Sequence, residues 1–211
     1  VRNESHGQLK SGYLDEDMHI MHALGLLHKG GTRAVKESGF AVPRNVFSLD
    51  SYDYLDCIEV ARERMPVRES RKEFGLVKKL FSRYHDCCSY LKSVSDTVIM
   101  GDLKARGSGK NIVNGHIVDF GCVRWGSPVE DIVRYGITKG YDCNGINTLV
   151  SKYIDLRSKH DKGFRDSFCK NELYKCIKPV IFKEHIRFAA AMVRRNLVDP
   201  KCLKQREKYI I

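Results

Sequence analysis

The sequence lacks the features that would place it in a membrane or among zinc- or disulfide-stabilised proteins. No apolar run approaches the roughly 20 residues that cross a bilayer, and Val1 to His6 contain no apolar stretch of a signal peptide. The eight cysteines include no Cys-x-x-Cys pair, so their spacing does not support a zinc site. We therefore expect a cytoplasmic protein with reduced thiols and no membrane contact.

Two nucleotide-binding signatures are also missing. The first 14 residues contain no Gly-x-Gly-x-x-Gly and no Val-Ala-x-Lys, and they are too few for a five-stranded sheet. Gly107 to Lys110 resembles the end of a phosphate-binding P-loop. However, Lys104 stands where that motif needs glycine, and Asn111 stands where it needs Ser or Thr to hold magnesium. The chain is therefore not expected to bind phosphate through a P-loop.

Length and composition favour one globular domain. With 211 residues, of which 42% are hydrophobic, the chain can bury one sizeable core over residues 1–211. The net charge of +11 favours polyanionic partners. Nucleotides, phosphorylated substrates, acidic proteins and nucleic acid all satisfy that charge, and no motif supports nucleic acid in particular.

Apolar periodicity predicts a mainly helical chain. After a loose lead-in over 1–14, an acidic start at Asp15 to Asp17 opens a helix that Gly30 and Gly31 end, and a loop follows over 32–50. The histidines of this first helix are interpreted as surface or packing residues. Further helices are expected over residues 51–64, 69–92, 128–136, 144–158, 170–177, 181–196 and 199–208.

The segment 98–131 carries most of the functional information. Two short apolar runs, Val98 to Met100 and Ile117 to Val118, lead into aspartates, Asp102 and Asp119. Between them, Asn114-Gly115 is a dipeptide that tight hairpin turns prefer, because both residues tolerate positive φ. We therefore expect Ile112-Val113 and Ile117-Val118 to pair as a hairpin.

This arrangement predicts a site that binds magnesium and transfers a phosphoryl group. It would bring Asp102, Asn111 and Asp119 to the ends of neighbouring short strands, where side chains converge on a cleft. Carboxylate and amide oxygens are hard ligands that suit magnesium and suit zinc poorly. Phosphoryl transfer needs one carboxylate to orient the attacking hydroxyl, and an aspartate with an asparagine to hold magnesium on the phosphates.

These motifs resemble a known family of small-molecule kinases. Gly-Asp-Leu-Lys over 101–104, Asn-Ile-Val over 111–113, Asp-Phe-Gly over 119–121, and Gly126-x-Pro128 followed by Asp131 occur in the order seen in aminoglycoside phosphotransferases and choline kinases. Leu24 to Gly30 is similar to an early helix of that family. The resemblance implies an α+β, mainly α fold. In it, the helical C-terminal lobe of a protein-kinase-like fold bears a small β-hairpin with the catalytic and metal-binding loops.

The resemblance also implies roles for individual residues. Asp102 would orient and deprotonate the acceptor hydroxyl, and Lys104 would neutralise charge on the moving phosphoryl group. Asn111 and Asp119 would hold magnesium on ATP. Asp131 would brace the catalytic loop. Independently of the resemblance, the basic insert 105–110 is interpreted as a tongue beside the phosphates, with Lys110 or Arg106 able to contact an anionic substrate, or else as a solvated surface loop.

Three departures from the family pattern bear on the substrate. Met100 stands where the family usually has histidine. Asp102 and Asn111 are nine positions apart, about four more than usual in the family, and the excess is the basic insert 105–110. A lysine at position 104, directly after Asp102-Leu103, is more typical of serine/threonine protein kinases. Because the chain is basic overall, we expect a neutral or anionic small-molecule acceptor.

Three functions remain open from the sequence. The first is an ATP- and magnesium-dependent phosphotransferase that acts on a small-molecule hydroxyl. The second is a non-catalytic kinase-like scaffold for a protein or RNA partner, and the third is a serine/threonine protein kinase-like enzyme. The N-terminal β lobe of such kinases is expected to be absent from this chain, lying outside this sequence or supplied by a partner chain.

Overall fold

A computed structural model describes most of the residues around the predicted site. The described residues are 11–43, 82–84, 86–94, 96–106, 110–161, 164 and 170–194. They form a mainly helical structure with two small two-stranded antiparallel sheets. The expected α+β, mainly α class is therefore confirmed. Among the described residues, no helix combines the length and the apolar character of a membrane span.

The first helix, α1 (Ser11–Ser38), is longer than the sequence predicted. It begins inside the expected lead-in, has no acidic residue in its first turn, and continues through Gly30 and Gly31 to Gly39, whose φ is +67°. The predicted stop was wrong because a glycine inside a helix costs only about 1 kcal/mol. The last turns pack against a strand, where the Thr32 hydroxyl accepts the N–H of Val98.

The first sheet joins β1 (Thr97–Ile99) to β4 (Arg124–Gly126). The strands are antiparallel, with Val98 opposite Trp125. The other edge of β4 is covered where the Trp125 N–H donates to the Pro43 carbonyl at 2.9 Å. This pairing brings the start of the 98–131 segment next to Arg124–Gly126, near its end. The paired strand β1 ends two residues before Gly101.

The second sheet is the predicted hairpin. It pairs β2 (Ile112–Val113) with β3 (His116–Ile117) across Asn114 and Gly115, whose φ values are +50° and +77°. Positive φ at both turn residues matches the right-handed twist of the strands. The second strand lies one residue earlier than predicted, although the Val118 N–H still donates to the Asn111 carbonyl at 2.8 Å.

Two of the predicted helices follow the sheets. Helix α2 (Pro128–Lys139) has Ser127 as its N-cap and Gly140, with φ +90°, as its C-cap. Its last residue lies three positions beyond the prediction. Helix α3 (Cys143–His160) begins at Asp142, whose carboxylate accepts the Gly145 N–H at 2.8 Å. The helices predicted from proline, N-cap residues and periodicity are thus confirmed, with slightly wider bounds.

The last described helix, α4 (Lys170–Arg194), corrects a prediction. The sequence predicted separate helices on either side of Pro179, but one helix continues through it. Proline removes one helical hydrogen bond, while the flanking Ile177, Val180 and Ile181 are all buried and hold the helix against the core. Residues 82–84 and 86–93 are helical, as predicted. The remainder of the predicted helix 69–92, together with 1–10, 51–64 and 199–208, lies outside the described residues.

The core lies between the helices and directly beneath the 98–131 segment. Met100 and Leu103 are both buried in it, on either side of Gly101 and Asp102. Burying each such side chain stabilises the fold by about 1.5–3 kcal/mol. The loop that carries Asp102 is therefore anchored at two points. The core includes Ile20, Leu24, Ile132, Leu149, Tyr153, Leu173 and Val180.

A buried polar cluster fastens α1 to α2. The Asp17 carboxylate accepts hydrogen bonds from Tyr135 at 2.6 Å, Lys139 at 2.7 Å and Tyr141 at 2.7 Å. Burial opposes the charge of Asp17, but these hydrogen bonds outweigh it, so that the pKa of Asp17 is lowered. Asp17 is therefore a structural residue rather than the acidic helix start that the sequence predicted.

Candidate active site

The backbone before Asp102 is held by one carboxylate. Asp131, in the first turn of α2, accepts the Met100 N–H on Oδ2 at 2.7 Å and the Gly101 N–H on Oδ1 at 2.8 Å. Asp131 is fully buried. Bonds from N–H groups to a carboxylate are stronger than bonds between neutral groups. Asp131 thus makes the kind of contact that bracing of the loop requires.

A histidine from α1 completes the environment of Asp131. The Nε2 atom of His28 lies 3.0 Å from Oδ2 of Asp131, and its Nδ1 atom lies 2.9 Å from the Tyr153 hydroxyl. Burial lowers the pKa of His28, and Asp131 only partly offsets it, so the ring is neutral at pH 7. Because a carboxylate can only accept, we assign the proton to Nε2. Nδ1 then accepts from Tyr153.

Asp102 follows this braced backbone and contacts two cations. Its Oδ2 lies 2.8 Å from Nζ of Lys104, and its Oδ1 contacts the guanidinium of Arg134. The Asp102 side chain is 20% exposed, so it is accessible from one side. The predicted base and the predicted phosphate cation are therefore in direct contact.

Asn111 closes the loop that contains the basic insert. Its Nδ2 donates to the Asp102 carbonyl at 2.5 Å, and its Oδ1 accepts the Lys104 N–H at 2.6 Å. Its own N–H donates to the Lys104 carbonyl at 3.2 Å. The side chain is buried, and Oδ1 keeps one lone pair that could still reach a metal. These hydrogen bonds show that Asn111 holds the two ends of the loop together. Its role as a metal ligand stays a prediction.

Asp119 has a backbone conformation that is uncommon for a residue other than glycine. Its φ is +62°, and Asn114 is the only other non-glycine residue with positive φ among those described. Its Oδ1 accepts the Gly121 N–H at 3.2 Å, which leaves Oδ2 without a hydrogen bond within the described part of the chain. Asp119 is exposed. An exposed carboxylate with a free oxygen suits a magnesium ion that keeps several waters.

A close backbone approach joins the Asp119 turn to the Asp102 loop. A Cβ atom on Gly101, which has φ +78°, would lie 2.5 Å from the Cys122 carbonyl oxygen. Only glycine fits there. Asp102 is also bonded to Asn111, whose carbonyl accepts from the residue before Asp119. The backbones that carry Asp102, Asn111 and Asp119 are thus neighbours, while the convergence of the three side chains on one cleft stays a prediction.

The donor set fits magnesium only with help from a ligand. The described residues contain no cluster of three or more His, Cys, Asp or Glu side chains that could hold a metal ion. Magnesium often takes one or two carboxylates and completes its shell with water and phosphate oxygens. Asp119 would be the main protein ligand, and Asn111 Oδ1 has a free lone pair for a second bond to the ion.

Lys110 is exposed at the end of the basic insert, next to Asn111. Its ammonium makes no hydrogen bond or ion pair with the described part of the protein, so it is available to an anion. The opposite end of the insert is fixed where the Ala105 N–H donates to the Thr138 hydroxyl at 2.9 Å. The insert is therefore held by hydrogen bonds at both ends, at Ala105 and at Asn111.

A buried cluster of charged side chains lies at the start of α2, next to Asp131 in the sequence. The Glu130 carboxylate binds Arg124 at 2.6 Å and Lys183 at 2.5 Å, and it accepts the Ser127 N–H at 3.1 Å. Burial alone would raise the pKa of Glu130, but the charges of Lys183 and Arg124 outweigh it and lower the pKa to about 2. This cluster ties β4 and α4 to the start of α2.

Several residues of the site were missed in the sequence, although signals for them exist. Arg134 and Thr138 follow Asp131 by three and seven positions, which places all three on one helical face. His28 follows Leu24 by four positions on the buried stripe of α1. The spacing could have shown that these residues are turned inward, but their partners are distant in the sequence.

Comparison of the chain with protein-family models, with curated proteins and with solved structures finds no match in any of the three.

Proposed function

We propose that the chain is the helical lobe of a magnesium- and ATP-dependent phosphotransferase with a protein-kinase-like fold. Its reaction would move the γ-phosphate of ATP to the hydroxyl of a small molecule. The observation that carries the proposal is the pair of bonds from Asp131 to the N–H groups of Met100 and Gly101. A loop fixed in this way before any ligand arrives holds Asp102 ready for reaction.

Asp102 is the general base in this proposal. Its Oδ2 accepts the proton of the attacking hydroxyl while the oxygen of that hydroxyl forms a bond to the γ-phosphorus. The bond from phosphorus to the β-phosphate oxygen breaks, and ADP leaves with that electron pair. A positioned base of this kind contributes about 10²–10⁴-fold to the rate.

Lys104 and Asp119 serve the phosphates. The Lys104 ammonium lies 2.8 Å from Asp102, close enough to turn toward charge that develops on the transferred group. Asp119 has a free carboxylate oxygen and would hold magnesium, which neutralises the charge of the phosphate oxygens when bound. Lys110, exposed beside Asn111, would contact the phosphates or the acceptor.

The exposed apolar residues near Asp119 also favour a bound nucleotide. Val113, Val118 and Phe120 are 42%, 37% and 53% exposed. Val113 lies on the hairpin, and Val118 and Phe120 flank Asp119 in the sequence. A nucleoside base is flat and mostly apolar on its faces, so such residues can pack against it. A carboxylate that holds magnesium and has exposed apolar neighbours therefore suits a nucleotide better than a free phosphate.

A non-catalytic scaffold is the second candidate, and one observation favours it. Both carboxylate oxygens of Asp102 are already in contact with cations, and both polar atoms of the Asn111 side chain are used within the loop. Asp102 and Asn111 thus already have partners within the protein. The contact of Lys104 with Asp102 also keeps a protein kinase-like enzyme as a third candidate.

Turnover of ATP separates the enzyme from the scaffold. The full chain should convert Mg²⁺-ATP to ADP, with water or an added hydroxyl compound as acceptor, and Asp102→Asn should lower kcat by about 10²-fold or more. A chain without ATP turnover under any acceptor would favour the scaffold. Turnover that survives Asp102→Asn would remove Asp102 from the base role.

A further inference from the structure

Arg134 joins the candidate base to the opposite helix. It lies on α2, one turn after Asp131, and its side chain is 11% exposed. One terminal nitrogen contacts Oδ1 of Asp102, and the other lies 2.5 Å from Oε2 of Glu184 on α4. No motif of the sequence pointed to this bridge.

Two neighbours of Arg134 on the same helical face hold other parts of the loop that carries Asp102. Asp131 holds the N–H groups of residues 100 and 101, Arg134 holds the side chain of Asp102, and the Thr138 hydroxyl holds the N–H of Ala105. Three successive turns of α2 thus bind three successive parts of one loop. Of these three residues, Arg134 alone binds the functional carboxylate itself.

We infer that Arg134 is a positioning residue that anchors Oδ1 of Asp102 and leaves Oδ2 to accept the proton of the attacking hydroxyl. The inference rests on the proposed function. The guanidinium is planar and remains charged at any working pH, so it fixes the direction of the carboxylate without competing for the proton. Glu184 holds the far side of the fork and balances its charge.

The two cations at Asp102 differ in how easily they can leave it. Lys104 contacts Oδ2 through a flexible chain, and its side chain is 27% exposed. It can turn to a phosphate and free that oxygen. Arg134 is buried to 89% and held from both sides, since its two terminal nitrogens bind different carboxylates. This asymmetry selects Oδ2 as the reacting atom.

Kinetics of Arg134→Gln in the full chain test the inference, with Mg²⁺-ATP as substrate and water as acceptor. We expect kcat to fall about 10- to 100-fold, because a misplacement of roughly 1 Å can reduce a rate by about 10². The KM for Mg²⁺-ATP should stay within about two- to threefold of the wild-type value, since Arg134 touches no phosphate ligand.

Three further variants separate positioning from folding. Arg134→Lys keeps the charge and should recover part of kcat, although it cannot bind Asp102 and Glu184 together. Glu184→Gln should lower kcat less than Arg134→Gln does. Arg33→Gln removes an exposed arginine whose only ion pair among the described residues is with Glu37, and it should leave kcat unchanged. Thermal unfolding of each variant identifies the temperature range in which all of them are folded.

The outcomes distinguish this inference from the proposed function. A wild-type chain without Mg²⁺-ATP turnover overturns the proposed function, and the role of Arg134 falls with it. An active wild type whose Arg134→Gln variant keeps the wild-type kcat overturns the inference alone. The same result follows if Arg134→Lys is as impaired as Arg134→Gln and both losses follow the change in Tm, because the role of Arg134 is then only structural.

Discussion

His28 and Asp131 are 103 positions apart in the chain, yet Nε2 of His28 lies 3.0 Å from Oδ2 of Asp131, and both side chains are fully buried. The same oxygen of Asp131 accepts the Met100 N–H. One atom thus links α1 to the loop that carries Asp102. Because a buried charge needs partners on every side, the contact between these helices and the geometry of the candidate site depend on each other.

Replacement of Asp131 by asparagine should destabilise the chain and disorder the loop. An amide offers only one oxygen, so its NH₂ group would face the Met100 or the Gly101 N–H, and one buried donor would lose its partner. We expect a loss of about 1–3 kcal/mol in the free energy of unfolding, measured by denaturant titration. Asp142→Asn is the matched control, because asparagine caps a helix as well as aspartate does. Equal stability of Asp131→Asn and wild type would contradict the bracing role.

The buried histidine should make the protein less stable in mild acid. The pKa of His28 is lowered in the folded state, so below about pH 6.5 the unfolded chain binds a proton that the folded chain does not. Stability should therefore fall as the pH drops below that value, with a slope of up to about 1.4 kcal/mol per pH unit from this residue. The slope should be smaller in His28→Gln and unchanged in His19→Gln, where the histidine is exposed. Identical slopes in the two variants would count against a neutral His28.

Glu130 should contribute stability in a lower pH range. Its pKa is about 2 in the folded state and close to 4.5 when unfolded, so its contribution is complete above pH 4.5 and disappears as the pH falls toward 2. At pH 7, Glu130→Gln leaves Arg124 and Lys183 buried without their carboxylate, and we expect a loss of about 3–5 kcal/mol. The difference from wild type should shrink when unfolding is measured near pH 2 or 3. A difference that is constant with pH would mean that Glu130 is not held as an anion.

A pair of glycine substitutions should separate a steric requirement from a conformational one. Gly101 and Gly140 both have positive φ, but a Cβ at Gly101 would meet the Cys122 carbonyl at 2.5 Å, whereas a Cβ at Gly140 would meet nothing within 4 Å. Gly140→Ala should cost about 1 kcal/mol in the free energy of unfolding. Gly101→Ala should cost clearly more and should reduce ATP turnover, because it separates the Asp102 loop from the Asp119 turn. Similar losses at both positions would remove the steric requirement.

Short-range signals in the sequence predicted the local structure well. The Asn114-Gly115 hairpin and the start of α2 at Pro128 follow from residues within a few positions of one another. The continuity of α1 past Gly31 and of α4 past Pro179 could not be predicted in this way. There, packing with distant parts of the chain outweighs a local preference of about 1–3 kcal/mol.

The same contrast between local signals and contacts of distant residues applies to the candidate site. The spacing of Asp102, Asn111 and Asp119 predicted that their side chains meet. The hairpin and the contact at Gly101 show only that the backbones on which they lie are neighbours. The ion pair from Asp102 to Arg134 joins residues 32 positions apart, and no local pattern encodes it. Which oxygens are already occupied can be known only from the folded chain.

Magnesium-dependent ATP binding by the full chain, compared with Asp119→Asn, tests the central claim most directly. Asparagine also tolerates the positive φ of this position, so the variant should keep the backbone and lose only the charge. With Mg²⁺-ATP at about 100 times Kd, the wild-type Tm should rise by roughly 5 °C or more. This shift should require magnesium and should largely vanish in Asp119→Asn. A shift of equal size in the variant, or no magnesium-dependent shift in the wild type, would contradict the assignment of this site to phosphoryl transfer.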